Sequence, residues 1–301
     1  MTGVLVLAGP TASGKSALAL ALAERFDAEI VGADSRQIYR GMPIGTAAPS
    51  AADQALVPHH LVGFLDPRER YSAARFVTDA LGAIEDIRRR GKRALVVGGT
   101  GFYLRALAGD VTLSPVRDEL LRDRLAREAR IHPPGALADW LRALAPSASI
   151  PADPYRLARA LEIALASRSD RDARDVPSAD SLRARGIPFR KLYLEVPADA
   201  LLRRIEARVD AMLANGLLDE AERVGAAAVA ADAVGYREAL AYLAGWSTRA
   251  ELRAHLVRNT RRYAKRQATW FRAEPDLVRL SGDPWEAALA EAATLQGWNR
   301  S

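Results

Sequence analysis

Apolar residues fill positions 4–8 without interruption, Val-Leu-Val-Leu-Ala, a run too short for a buried helix and suited to a strand covered on both faces. A glycine-rich turn follows, and residues 16–26 then carry Ala and Leu at helical spacing, which predicts a strand, loop, helix unit. Residues 29–33 predict a second short strand ending at Asp34. From 73 to 90 apolar positions recur every three or four residues among charges, predicting an amphipathic helix that Gly91 ends. The apolar run 93–97 predicts a further strand, closing on Gly98-Gly99-Thr100-Gly101. Strands alternating with helices imply an α/β fold with a parallel sheet flanked by helices on both faces.

The pattern changes over 116–187, where charged helical segments and clustered prolines replace it and no strand is predicted before 191–196. This predicts a helical insertion domain set into a core made of 1–115 and 188–301. Within it, Ser167 to Asp175 (SRSDRDARD) has almost nothing to bury and is expected to be a mobile loop. Beyond 196 the chain reads as mainly helical, and Thr248 with Glu251 three residues on makes a capping box that opens a long helix.

Charge alters this picture in one place. Among 43 Lys and Arg against 37 Asp and Glu, seven basic residues (Arg253, Arg258, Arg261, Arg262, Lys265, Arg266 and Arg272) fall between 252 and 273 with no acid among them. The rest of the chain is close to neutral, so the excess belongs to that one helix. Arg258, Arg262 and Arg266 share a face, with Tyr263, Trp270 and Phe271 nearby. Arginines follow a phosphate backbone and aromatics stack on unpaired bases, so the helix suits an RNA with an exposed loop; a solvated face over core aromatics is the other reading. There is no cysteine, which excludes disulfides, thiolate metal sites and a cysteine nucleophile. No run is long enough for a signal peptide or a membrane span, so a cytoplasmic protein without membrane attachment is expected. The four histidines show no ligand spacing.

Candidate chemistry begins at Gly9, Pro10, Thr11, Ala12, Ser13, Gly14, Lys15 and Ser16, which fit G-x-x-x-x-G-K-[ST] between a predicted strand and helix. Backbone N–H groups of such a loop curl around phosphate oxygens, Lys15 neutralises them, and the Ser16 hydroxyl can ligate Mg²⁺. The fold is therefore P-loop NTPase-like. Asp34 and Thr100 follow the carboxyl ends of predicted strands, the edge where open α/β sheets bind ligands. For Asp34 a general base, a magnesium partner and a helix cap all fit. No acidic pair closes the strand before Gly98, which argues for transfer to a bound acceptor over ATP hydrolysis.

Together GPTASGKS, ADSRQIYRGMPIGTA (33–47), PHHL (58–61), YSAARF (71–76), VVGGTGFYLRAL (96–107), DPYRLARALE (153–162), VGYREALAYL (234–243) and AKRQATWFR (264–272) resemble the tRNA dimethylallyltransferases, in order along nearly the whole chain. The resemblance implies transfer of the dimethylallyl group of dimethylallyl diphosphate to N6 of adenosine 37, beside the anticodon, with Mg²⁺ present. It implies that the phosphate loop takes a prenyl diphosphate, that Asp34 is the general base, that Thr100 contacts the reacting groups and that Arg208 joins Lys15 on the diphosphate. It further implies tRNA contacts from Asp34, Ser35, Arg36 and Gln37; from Tyr155, Arg156 and Arg159; from Gly235, Tyr236 and Arg237; and from Lys265, Arg266, Gln267, Trp270 and Arg272, with the insertion gripping the anticodon stem-loop. Departures are Ala48 where the family often has Lys, Ile150-Pro151-Ala152 before the DP-x-R segment, and Ser167 to Asp175 where a Thr-Gly pair is usual. The likeness is to the bacterial form, which lacks a zinc-finger extension, and a monomer is the simplest expectation. A small-molecule kinase would leave the basic helix without a task, and a non-enzymatic RNA-binding module would leave Asp34 without one.

Overall fold

The computed structural model describes residues 2–111, 113, 119–169, 180–230 and 232–298. Along the chain run β1 (Val4–Ala8), α1 (Lys15–Phe26), β2 (Ala28–Gly32), α2 (Pro43–Thr46), α3 (Ala51–Leu56), β3 (His59–His60), α4 (Ala73–Arg89), β4 (Arg93–Gly98) and α5 (Gly101–Ala108). Three helices follow: α6 (Glu119–Ile131), α7 (Pro134–Leu144) and α8 (Pro154–Ser169). The remainder comprises β5 (Phe189–Leu194), α9 (Ala198–Ala214), α10 (Leu217–Val224), α11 (Ala226–Ala230), α12 (Tyr236–Leu243), α13 (Arg249–Arg272), β6 (Leu277–Leu280) and α14 (Pro284–Thr294). Two compact units result: Met1–Val111 with Asp180–Ser301, and Thr112–Ala179.

In the first unit six parallel strands lie in the order β3-β2-β4-β1-β5-β6. The central strands must be apolar on both sides, and all five residues of β1 are buried, in register from Val4 opposite Ala94 and Phe189 to Ala8 opposite Gly98 and Tyr193. One core joins Leu5, Leu7, Leu95 and Leu192 to Leu22 of α1 and Ala288 of α14, and Trp298 closes it, its Nε1 donating to Gly3 O at 2.9 Å. Against β2 and β4 packs α4 through Phe76, Ala80, Ile84 and Ile87, and Phe76 stacks on Tyr103 of α5 at 4.4 Å. Leu182, whose N–H donates to Leu107 O, and Ile187 are buried in this unit, which therefore resumes at residue 180. β6 is an addition to the mainly helical end of the chain that the sequence predicts.

The second unit is helical among its described residues. Leu125, Leu137, Leu141, Leu157 and Leu161 form its core, and buried Glu162 is paired with Arg122 and Arg159. Asp153 Oδ1 accepts from Arg156 N at 2.9 Å at the start of α8. Of the loop expected over 167–175, residues 167–169 belong to α8 and 170–175 lie outside the described residues.

Candidate functional site

Three neighbouring strands, β2, β4 and β1, end side by side, and their carboxyl ends deliver Asp34, Gly99-Thr100 and the phosphate loop to one edge. The loop turns through left-handed backbone at Ala12 (φ 62°) and Gly14 (φ 95°) before α1 begins at Lys15. Lys15 Nζ donates to Pro10 O at 3.2 Å, and Arg204 of α9 donates to Ser13 O at 2.7 Å from outside the loop. One turn further along α9, Arg208 reaches Thr46 O at 3.4 Å.

A cavity of about 150 Å³, open to solvent, gathers Lys15, Ser16, Asp34 and Arg208. Val209, Met212, Leu217 and Leu256 give it an apolar wall. Burial pulls the Lys15 ammonium down to about 8, opposed by the Asp34 carboxylate and reinforced by Arg208. For Arg208 the direction is the same, burial lowering its affinity for the proton and Asp34 raising it. Asp34 is thus the counter-charge that both cations sense. Its Oδ1 accepts from Arg36 N at 2.9 Å, an Asx-type turn that fixes the carboxylate at the strand end. Thr100 Oγ1 accepts from Ser35 N at 3.0 Å, so Thr100 positions the turn that carries Asp34. Tyr263 bonds to the Thr100 side chain, and its phenol is pushed up first by burial and then by Asp34.

The 42–47 segment also borders the cavity, through Gly45, Thr46 and Ala47. Glu220, wholly buried, accepts from Ile44 N at 2.9 Å, from Gly45 N at 2.7 Å and from Tyr236 Oη at 2.6 Å. Gln37 Nε2 donates to Ala47 O at 2.9 Å. Tyr236 is therefore a core residue in this structure, buried beneath Gly45. Arg36 bridges to Asp232 at 2.9 Å at the rim. Gly235 opens α12, and Arg237 is exposed beside it.

On α13, Leu252, Leu256, Ala264, Gln267 and Phe271 are buried at helical spacing, while all seven basic residues of 252–273 are exposed. Arg253 is committed to Asp210 at 2.6 and 2.8 Å. Lys265 and Arg272 are exposed as expected, and Arg266 lies over the Tyr263 ring at 5.5 Å. Trp270 is half-buried, edge-on to Phe102 and under Arg105 at 4.8 Å, and Gln267 is buried and bonds inward to the phosphate loop. In the second unit Tyr155 and Arg156 are exposed at the start of α8, and Arg159 pairs with Glu162. Glu220 and the apolar wall carry no signal in the sequence, whereas Tyr263 stands out there only as an aromatic near the basic face of α13.

Among the described residues no group of three or more His, Cys, Asp or Glu could hold a metal, and no helix is long and apolar enough to cross a membrane. The family model of IPP transferases matches residues 37–274. A tRNA dimethylallyltransferase of Geobacter metallireducens is 43% identical over 287 residues, 92% of each chain. The solved structure of a tRNA isopentenylpyrophosphate transferase of Bacillus halodurans is 36% identical at TM-score 0.65, covering 93% of this chain and 89% of that one. A eukaryotic dimethylallyltransferase solved acting on tRNA shares the fold at TM-score 0.75 and 24% identity, over 98% of this chain and 79% of that one.

Proposed function

Because the chain belongs to the IPP transferase family, we propose that it transfers the dimethylallyl group of dimethylallyl diphosphate to N6 of adenosine 37 in tRNA, releasing diphosphate. The observation that carries this reading is the meeting, in one cavity, of two cations, one carboxylate and an apolar wall. Lys15, Arg208 and the loop amides hold the diphosphate, and Val209, Met212 and Leu256 face its five-carbon tail. Ser16 is the side-chain oxygen donor that fits Mg²⁺, which would take its other ligands from diphosphate and water. When bound, the ion neutralises charge on the diphosphate.

Reaction breaks the allylic C–O bond, and the electron pair leaves with the diphosphate. The N6 lone pair forms the new C–N bond, and the N6 proton passes to the Asp34 carboxylate. Lys15 and Arg208 supply the charge that the departing group needs at the moment it needs it. Thr100 acts on this step by holding the Ser35 N–H and hence the Asp34 turn. The exposed stripe of Arg258, Arg261, Arg262, Lys265 and Arg266 follows the RNA backbone, with Arg237 beside it, and Tyr155 and Arg156 of the helical unit grip the anticodon stem-loop. A monomer is the simplest assembly for this reaction, and the activity belongs in the cytoplasm with its RNA. The test is to incubate the protein with unmodified tRNA and either dimethylallyl diphosphate or ATP, then weigh the nucleosides by mass spectrometry. Adenosine should gain one dimethylallyl group with the prenyl donor only; a phosphorylated product with ATP would replace this reading by a kinase.

A further inference from the structure

One buried side chain joins the RNA-facing helix to the phosphate loop. Gln267 of α13 is 5% exposed, accepts from Thr11 N at 2.8 Å through Oε1, and donates from Nε2 to Gly99 O at 3.1 Å. The fit is close: a Cβ on Gly99 would stand 2.2 Å from Nε2, and one on Gly101 would stand 2.1 Å from Trp270, so both glycines are where α13 lies against the turn. The bond to Thr11 has a consequence for Lys15. The N–H of Thr11 and the C=O of Pro10 belong to the same peptide plane and point in opposite directions. Fixing the N–H on Gln267 therefore fixes the direction of Pro10 O, the atom that receives Lys15 Nζ at 3.2 Å and Ser13 N at 3.2 Å. At its other end the amide holds Gly99 O, next to the Thr100 whose hydroxyl sets the Asp34 turn.

We infer that Gln267 is a positioning residue for the phosphate loop: it orients the Pro10–Thr11 peptide, and through it Lys15, for the diphosphate. It is not an RNA contact. The bond runs inward from the same helix whose opposite face carries Arg258, Arg262 and Arg266. A carboxamide suits the task because it offers one acceptor and one donor without charge beside an anion site. This assignment rests on the prenyl-transfer reading, and the wild-type reaction is the control that separates them: an inactive wild type sinks the reading, whereas an active one lets the variants judge Gln267.

The decisive variant is Gln267→Met, which keeps length and bulk and removes both hydrogen bonds, with Gln267→Ala beside it. Steady-state transfer, direct binding of dimethylallyl diphosphate, tRNA binding and thermal melting are measured on each. Expected for Gln267→Met is a rise in KM and Kd for dimethylallyl diphosphate by roughly tenfold with a lower kcat, while the tRNA Kd stays within about twofold. Gln267→Ala should match it in the diphosphate effect and melt lower. A Met variant with wild-type diphosphate affinity would reduce Gln267 to packing and overturn the assignment. So would weakened tRNA binding with diphosphate binding intact, or parallel loss of both affinities with melting, which is the signature of general destabilisation.

Discussion

At the scale of single residues, Asp34 has the most exposed assignment. Asp34→Asn keeps shape and the bond to Arg36 N but loses the proton acceptor. Turnover should fall by roughly 10² to 10⁴ with both substrates bound nearly as before; near wild-type turnover at saturating substrate would remove the base assignment. Lys15 makes a prediction in pH. In the free protein its ammonium is held down to about 8, so above that value the loop binds as a neutral amine, and a bound diphosphate must draw a proton back. Diphosphate affinity should therefore fall as pH rises through 8, with proton uptake on binding visible by calorimetry in buffers of different ionisation heat. Folding carries the opposite sign: between about 8 and the ordinary value of 10.5 the unfolded chain binds more protons, so the ligand-free protein gains stability as pH rises through that window. Tyr236 tests a reassignment. Tyr236→Phe removes one of three donors to Glu220, and should cost about 0.5–1.5 kcal/mol of stability with tRNA affinity unchanged; weakened RNA binding would restore it to the RNA-facing set.

At the scale of elements, what the sequence shows and what it conceals divide along a physical line. The strands β1, β2, β4 and β5 and the helices α1, α4 and α13 stand out because each carries a strong local period or cap, and the observed ends lie within two residues of those expected, α13 being fixed by the sequence at its start only. β6 is concealed because four residues, Leu277–Leu280, hold too short a pattern to compete with the helices around them, and β3 has only two. Lys15, Asp34 and Thr100 are legible since position at a strand end places them. The reach of Glu220 to Ile44, and of Gln267 to Thr11, spans 176 and 256 residues, and no periodicity encodes such a distance. The segment AKRQATWFR illustrates the limit well: as sequence it is one motif, but in the fold it divides by face, Ala264, Gln267 and Phe271 inward, Lys265, Arg266 and Arg272 outward. The outward face has its own test. Each neutralised phosphate releases condensed counterions, so tRNA binding should weaken steeply with salt, and replacing Arg262 and Arg266 by Gln should flatten the slope by about 2 in log–log units. An unchanged slope would make α13 a solvated helix.

At the scale of the whole molecule, diphosphate chemistry sits at the edge of the parallel sheet and the basic stripe runs along α13, so the two ought to be separable. Lys15→Ala should abolish transfer and leave the tRNA Kd nearly unchanged, as a filter or mobility assay would record; joint loss would show that the loop and the RNA seat are one site. On the proposed function, this cavity couples departure of diphosphate to capture of the allyl group by an adenosine. The measurement that addresses it most directly is the count of diphosphate released against modified adenosine formed, with and without unmodified tRNA. Equal amounts, and negligible release without RNA, are the result expected; steady release without RNA, or release with the adenosine unchanged, would contradict it.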